Sequence, residues 1–352
     1  MSEASMKSVL SALLILVSST AVANPVINQL TERREQIRPW VSLCRENPWQ
    51  GTFSSTKTHC DHGDLMIFAG LSCMAATLAG DSVTSEARCR DIELSQGHDG
   101  RWWRGPMHVD TDFEGSSFSR DQFRGIVAYM ISYGLLTREP EKNEKARRAM
   151  MSWLKYLEQE KGNNMCDDGK GMFSSCHMRG STLNLTYLVL SALGMESDAK
   201  RTLGEDSRLW KKIYGARADH KSLLNELEIL FAEKGYPLHL KASSVLFHRL
   251  LGYYQHSATA KSRIRHTVKA LERKDPGNPL FEFLDKGSSP EVIAKVLQRC
   301  PVQAPTGPND HTDWQWQRDS SEQTWKRANG WDCIYMLNLL IAHQNKKLTW
   351  VW

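Results

Sequence analysis

A chain of 352 residues has room for one large domain or two ordinary ones, and with 41% hydrophobic and 24% charged residues it has the composition of a globular protein with an ample core. Its formal charge of +5 is mild for that length, and the lysines and arginines are interleaved with acids throughout. There is no basic stripe of the kind that binds nucleic acid, so nucleic acid is not expected as a partner.

The N-terminus reads as an export signal. Lys7 precedes the apolar run Val9 to Val17, and Ala21-Val22-Ala23 is a small-x-small site of the kind signal peptidase cuts. The run is shorter than the roughly 20 apolar residues that span a bilayer. Residues 1–23 are therefore expected to be removed, leaving 24–352 as a single all-helical domain, periplasmic or secreted, with no stable membrane insertion. Eight cysteines follow the signal: Cys44, Cys60, Cys73, Cys89, Cys166, Cys176, Cys300 and Cys333. None forms a CxxC pair, which in an exported chain favours disulfides over zinc ligation. Proximity pairs Cys166 with Cys176, and the expected partners otherwise are Cys44 with Cys60, Cys73 with Cys89, and Cys300 with Cys333.

In chain order, Asn28 to Cys44 predicts a first helix. A polar loop then ends on Asp61-His62-Gly63-Asp64, and from Leu65 the sequence LMIFAGLSCMAATLAG is apolar nearly all round. A helix with no polar face is buried on every side. Ser85 to Leu94 predicts a short helix. The stretch from His98 to Met130 is the densest in the chain: Arg101, Trp102, Trp103 and Arg104 lead through Asp110, Asp112 and Glu114 to a mostly apolar helix over Arg120 to Leu136. Asn143 to Lys161 is amphipathic, with Ala146, Met150, Trp153, Leu154 and Leu157 as its stripe. Thr182 to Gly194 is apolar again, with a glycine stop. Ser207 to Tyr214 and His220 to Lys234 are amphipathic, and Pro237 opens a further helix. Ala258 to Arg273, the short FEFLDKG and Pro290 to Arg299 follow. A Pro-rich linker then leads to the apolar Trp331 to His343.

About a dozen helices, no convincing alternating strand and no repeat period predict an all-α protein. Buried helices alternate with amphipathic ones, as in two concentric layers. An α/α toroid-like array has that pattern, and a compact irregular bundle is its competitor.

The polar motifs fall at the starts of the apolar helices. CDHGD precedes Leu65, SRDQ precedes Phe123, SSCHMRGS precedes Thr182, YPLHL opens the helix at Leu238, and GWD precedes Cys333. If these helices form an inner ring, the five clusters gather at one mouth, where free N–H groups favour anions. Ser119 and Ser181 also read as plain N-caps. Adjacent residues on a helix point about 100° apart, so Arg120 does not simply pair with Asp121. That leaves Asp121 either catalytic or in an ion pair that ties helices together.

Glycosidic hydrolysis needs two carboxyls about 5 to 9.5 Å apart, and Asp61, Asp64, Glu114, Asp121, Asp319 and Asp332 are all candidates. Of the twelve tryptophans, Trp102, Trp103, Trp314, Trp316, Trp325 and Trp331 cluster in loops, where they either stack sugars or cap the core. Trp153 belongs to the core. Asp110 to Asp121 resembles an EF-hand loop, but Ser117 and Asp121 depart from its pattern. The histidines show no metal-ligand spacing, and neither metal nor cofactor is expected.

The repeated succession of polar loop and apolar helix, the loop tryptophans, the export signal and the segments GRWWRGP and SRDQ resemble secreted α/α-toroid carbohydrate-active enzymes, a class of glycoside hydrolases and polysaccharide lyases. The resemblance is architectural and carries no residue roles. It implies an exported enzyme acting on polysaccharide or peptidoglycan. By local argument Asp121 with Asp61 or Asp64 would be the acid/base pair. Arg101, Arg104 and Arg120 would hold polar or anionic groups, and Trp102, Trp103 and Trp316 would stack sugars. Lyase chemistry would instead call on a base such as His62, His177 or His239. A non-catalytic envelope protein that binds a glycan or a protein partner is the alternative, marked by acids that each sit against an arginine.

Overall fold

The computed structural model describes residues 24–41, 65–109, 118–159, 165, 176–218, 226–252, 258–303 and 330–348. Among these residues the chain is all-α, with no strand, and Gln96 and Trp102 form an isolated bridge. The helices are α1 Pro25–Val41, α2 Leu65–Ala79, α3 Ser82–Leu94, α4 Arg120–Tyr129, α5 Pro140–Gln159, α6 Gly180–Ala192, α7 Glu196–Leu203, α8 Arg208–Gly215, α9 Glu226–Phe231, α10 Tyr236–Leu250, α11 Ala258–Lys274, α12 Pro279–Lys286, α13 Pro290–Arg299 and α14 Trp331–Gln344. None of them is long and apolar enough to cross a membrane.

Three elements differ from expectation. The first helix begins earlier, at Pro25, and includes Pro39, and its expected end at Cys44 lies outside the described residues. Helix α7 was not predicted, because only Ala199 and Leu203 of its residues are buried and two apolar positions make no periodic stripe. The rod expected over Arg120 to Leu136 changes ladder within its length: it is α-helical to Tyr129 and π-helical over Met130–Leu136. There the Thr137 N–H donates to Ser132 O, five residues back, at 3.0 Å. The Gly134 carbonyl, meanwhile, accepts from Asn143 Nδ2. Hydrophobic spacing reports which face is buried and is blind to which carbonyl takes each N–H.

The apolar helices are buried as their sequences require. Buried side chains form one continuous cluster from Leu30 in α1 to Leu348 beyond α14. Helix α2 packs against α3, α4 and α14, and α14 packs against α1. The approach of α4 to α2 is backbone to backbone. A Cβ on Gly125 would lie 2.0 Å from the Met66 carbonyl oxygen, and one on Gly70 would lie 2.3 Å from that of Gly125. Only paired glycines allow this contact. The π-helical continuation of α4 packs farther along α2. The predicted stripe of α5 is buried throughout, and Trp153 stacks on Phe123 of α4 with ring centroids 5.1 Å apart.

Covalent and ionic ties complete the frame. Cys73–Cys89 joins α2 to α3, and Cys300–Cys333 joins the end of α13 to the start of α14, both among the expected pairings. Cys176 is also disulfide-bonded. Because the other four described cysteines pair with each other, its partner lies outside the described residues, as do Cys44, Cys60 and Cys166. Between α2 and α3, the buried Asp81 caps α3 through Thr84 N and meets Arg38 at 3.1 Å, Arg34 at 3.7 Å and Asn338 of α14 at 3.2 Å. Arg34 donates to Asn338 at 2.7 Å, so each member of this cluster is bonded to another.

Candidate functional site: the converging helix starts

Ser119 is the N-cap of α4, and its hydroxyl accepts from Gln122 N at 3.5 Å. This fixes the first turn, which carries Arg120, Asp121 and Arg124. The partner of Asp121 is Arg124, one turn on: Oδ1 accepts from Nη1 at 3.2 Å. The Arg124 side chain is 13% exposed and that of Asp121 is 39% exposed. The carboxylate therefore reaches the surface with the guanidinium behind it. Arg124 also donates to the Arg120 carbonyl at 3.3 Å.

The same arginine faces the start of α10. His239 is fully buried, and burial, with the Arg124 charge adding to it, pushes its pKa down to about 3. The imidazole is thereby kept neutral. Phe68, in the first turns of α2, lies 5.9 Å from the His239 ring and 6.5 Å from the Tyr236 ring. Burial lowers the pKa of Arg124 as well, opposed by Asp121 and Tyr236. Helices α2, α4 and α10 thus contribute their first turns to one place.

Helix α6 adds a fourth start. It begins at Gly180 with Arg179 in the N-cap position and no side-chain cap. The expectation that Ser181 caps it is corrected: the helix opens one residue before that serine, which places Ser181 inside the first turn. Burial lowers the pKa of His177, and the charges of Lys212, Arg179 and Arg120 lower it further. Burial likewise lowers that of Arg120, with Arg179 the next cause and Asp121 opposing. Arg120, His177, Arg179 and Lys212 of α8 therefore feel one another's charge.

Trp102 is 0% exposed and Trp103 6% exposed, so both are core residues, and Trp102 has no open face for a sugar. The expected role of Trp102 in stacking is corrected on that ground, because the Gln96–Trp102 bridge turns the loop inward. The Arg101 guanidinium lies over the Trp103 ring at 4.0 Å. Arg104 sits near His108 and, after burial, is the second cause of that imidazole's lowered pKa. Asp332 is buried at the start of α14, beside Trp331, whose ring is covered by Arg88 at 4.6 Å. Arg88 in turn meets Asp91 at 3.3 Å. Asp61, Asp64, Trp316, His62, Asp110, Asp112, Glu114 and Asp319 lie outside the described residues.

Sequence reasoning missed Arg124 as the partner of Asp121, although the i, i+3 spacing in RDQFR was the signal for it. It also passed over Arg179 and Lys212, whose meeting depends on how α6 and α8 pack. Among the described residues, no group of three or more His, Cys, Asp or Glu could hold a metal. Two open surface depressions, of about 640 and 460 Å³, border α5, α7 and the start of α8 and contain none of the expected site residues. No protein-family model, curated protein or solved structure matches this chain. What its own coordinates define is an all-α, disulfide-bonded protein with charged and aromatic groups collected at the starts of four helices.

Proposed function

We propose that this protein is exported and acts on a glycan at the pole where α2, α4, α6 and α10 begin. The observation that carries the reading is the meeting of Asp121, Arg120 and Arg124 with Tyr236, His239, His177 and Arg179 from separate helices. A glycan offers hydroxyls and ring oxygens that such a mixed polar surface can bind. Asp121 is half-exposed and oriented by Arg124, which suits it to serve as base or nucleophile in glycosidic hydrolysis. The acid would be a second carboxyl, with Asp61 or Asp64 the candidates. The disulfides support an oxidising compartment, periplasmic or extracellular.

A non-catalytic glycan-binding protein is the second reading, and it is favoured by the ion pair itself, since Asp121 already has a partner at 3.2 Å. The two readings separate on one substitution. With Asp121→Asn, cleavage of peptidoglycan or a polysaccharide, followed as new chain ends by mass spectrometry, is expected to fall by roughly a hundredfold or more while binding persists. Binding by the unaltered protein with no cleavage of any glycan would leave the binding reading in its place.

A further inference from the structure

Charge is interleaved along most of the chain, and helix α11 departs from that pattern. Over Ala258–Lys274 it carries Lys261, Arg263, Arg265, Lys269, Arg273 and Lys274 against a single acid, Glu272. Its apolar side, with Ile264, Val268 and Leu271, is buried. Lys261, Arg265, Lys269 and Arg273 are exposed. They recur every four residues, so their stems stand about 6 Å apart in a row about 18 Å long. The acids beside this row lie deeper than the cations they meet. Lys269 pairs with Asp285 of α12 at 2.6 Å and with Glu272 at 3.3 Å, and Lys286 meets Glu272 at 3.8 Å. Both lysine side chains are half-exposed while those of Asp285 and Glu272 are largely buried, so the outer layer of this face is cationic.

At one end of the row the surface is apolar. Phe231, the last residue of α9, is 86% exposed, and Leu230 before it is exposed as well. Helix α9 packs against α11, and Lys274 donates to the Leu230 carbonyl at 2.9 Å. A single exposed apolar side chain is ordinary on a protein surface. Two in succession beside a row of cations have the composition of elements that lie on a bilayer, with Lys and Arg among the headgroups and Phe or Leu at the acyl boundary.

We infer that the face formed by α9 and α11 is a peripheral docking surface for an anionic phospholipid bilayer. Such a bilayer answers both parts of the face, with phosphates for the cation row and hydrocarbon for Phe231 and Leu230. A soluble polyanion would answer only the first. The contact is a shallow one, since none of the described helices is long and apolar enough to cross a membrane. It does not depend on the glycan reading, because α9 and α11 carry none of the residues that meet at the pole.

The test is co-sedimentation of the exported chain with vesicles of phosphatidylcholine and with vesicles of an equal mixture of phosphatidylcholine and phosphatidylglycerol. Polyphosphate serves as the soluble polyanion. Binding to the mixed vesicles is expected to be at least about tenfold tighter than to phosphatidylcholine, and to weaken at high salt. The variant Lys261→Ala/Arg265→Ala/Arg273→Ala should lose roughly a hundredfold, at about fivefold per cation. Phe231→Ser, at an exposed position, should lose about tenfold for the mixed vesicles and leave polyphosphate binding unchanged. Thermal melting would verify that each variant is folded, and Lys261→Ala alone, with a loss of about fivefold, replaces the triple variant if that one unfolds. Equal binding to the two kinds of vesicle, or to neither, would overturn the inference. So would unchanged vesicle binding by Phe231→Ser, which would reduce the face to a site for polyanions in water. A dimer in light scattering that Phe231→Ser dissolves would overturn it too, by assigning the face to a second copy of the chain.

Discussion

The two ends of helix α2 handle charge in opposite ways. Just past its C-terminal end, Asp81 is buried against Arg34, Arg38, Thr84 and Asn338, and acceptors and donors are matched. Near its N-terminal end, Phe68 faces a pole where, among the described residues, neither Arg120 nor Arg179 makes an ion pair. The first arrangement spends burial on holding three segments together. The second leaves charge available at the surface, which adds nothing to the stability of the fold. A matched buried network is structural, and polar groups that reach the surface at converging helix starts, as Asp121 does, are what a ligand-binding surface requires.

Breaking the matched end should have the largest effect. Asp81→Ala removes the cap of α3 and the buried carboxylate between Arg34 and Arg38, which keep only the half-exposed Glu35, and is expected to cost about 2–4 kcal/mol, read as a lower midpoint in urea unfolding. A loss under about 1 kcal/mol would show that the network is solvated and contributes little.

Acid should expose both ends at different pH. Burial pushes the Asp81 carboxyl up, but Arg34 and Arg38 outweigh it and hold the group below its ordinary value. A depressed carboxyl contributes its full stability above the unfolded pKa, about 3.9, and loses it as pH falls through the lower folded value. His239 is held down to about 3. The unfolded chain takes up that proton near about 6.5 while the folded one refuses it, so stability declines from about 6.5 downward. Melting temperatures should therefore fall between neutral pH and about 4 before Asp81 matters. His239→Gln should flatten that interval, and an unchanged slope would assign the decline to other groups.

The smallest change in stability is expected at the pole. Arg120→Ala and Arg179→Ala should each shift stability by no more than about 0.5 kcal/mol, with relief of repulsion as the favourable contribution. A loss of 2 kcal/mol or more, roughly the scale of a broken buried contact, would make these arginines structural and erase the contrast.

Much of the frame was legible in the sequence because it depends on local spacing. The all-apolar run from Leu65 and the stripe Ala146, Met150, Trp153, Leu154 and Leu157 gave α2 and α5, and both proved buried where expected. Ser119 was legible as a cap because capping is a contact across three residues. The same tools failed where a distant neighbour decides. Trp102 and Trp103 read either as faces for sugars or as caps of the core, and only the turn of the loop at Gln96 shows them to be buried. The π-helical stretch at Met130 is where Asn143 reaches back to the Gly134 carbonyl, a contact that no periodicity records.

Composition and spacing by themselves thus determined an all-helical, disulfide-bonded chain and marked which helices must be buried, because those properties follow from the order of apolar and polar residues within a few turns. Tertiary structure alone decided that Gly70 and Gly125 let α2 and α4 touch, that Arg124 faces His239 of α10, and that Arg120, His177, Arg179 and Lys212 meet. Such meetings are set by the angle and depth at which whole helices pack, quantities that no local stretch of sequence contains.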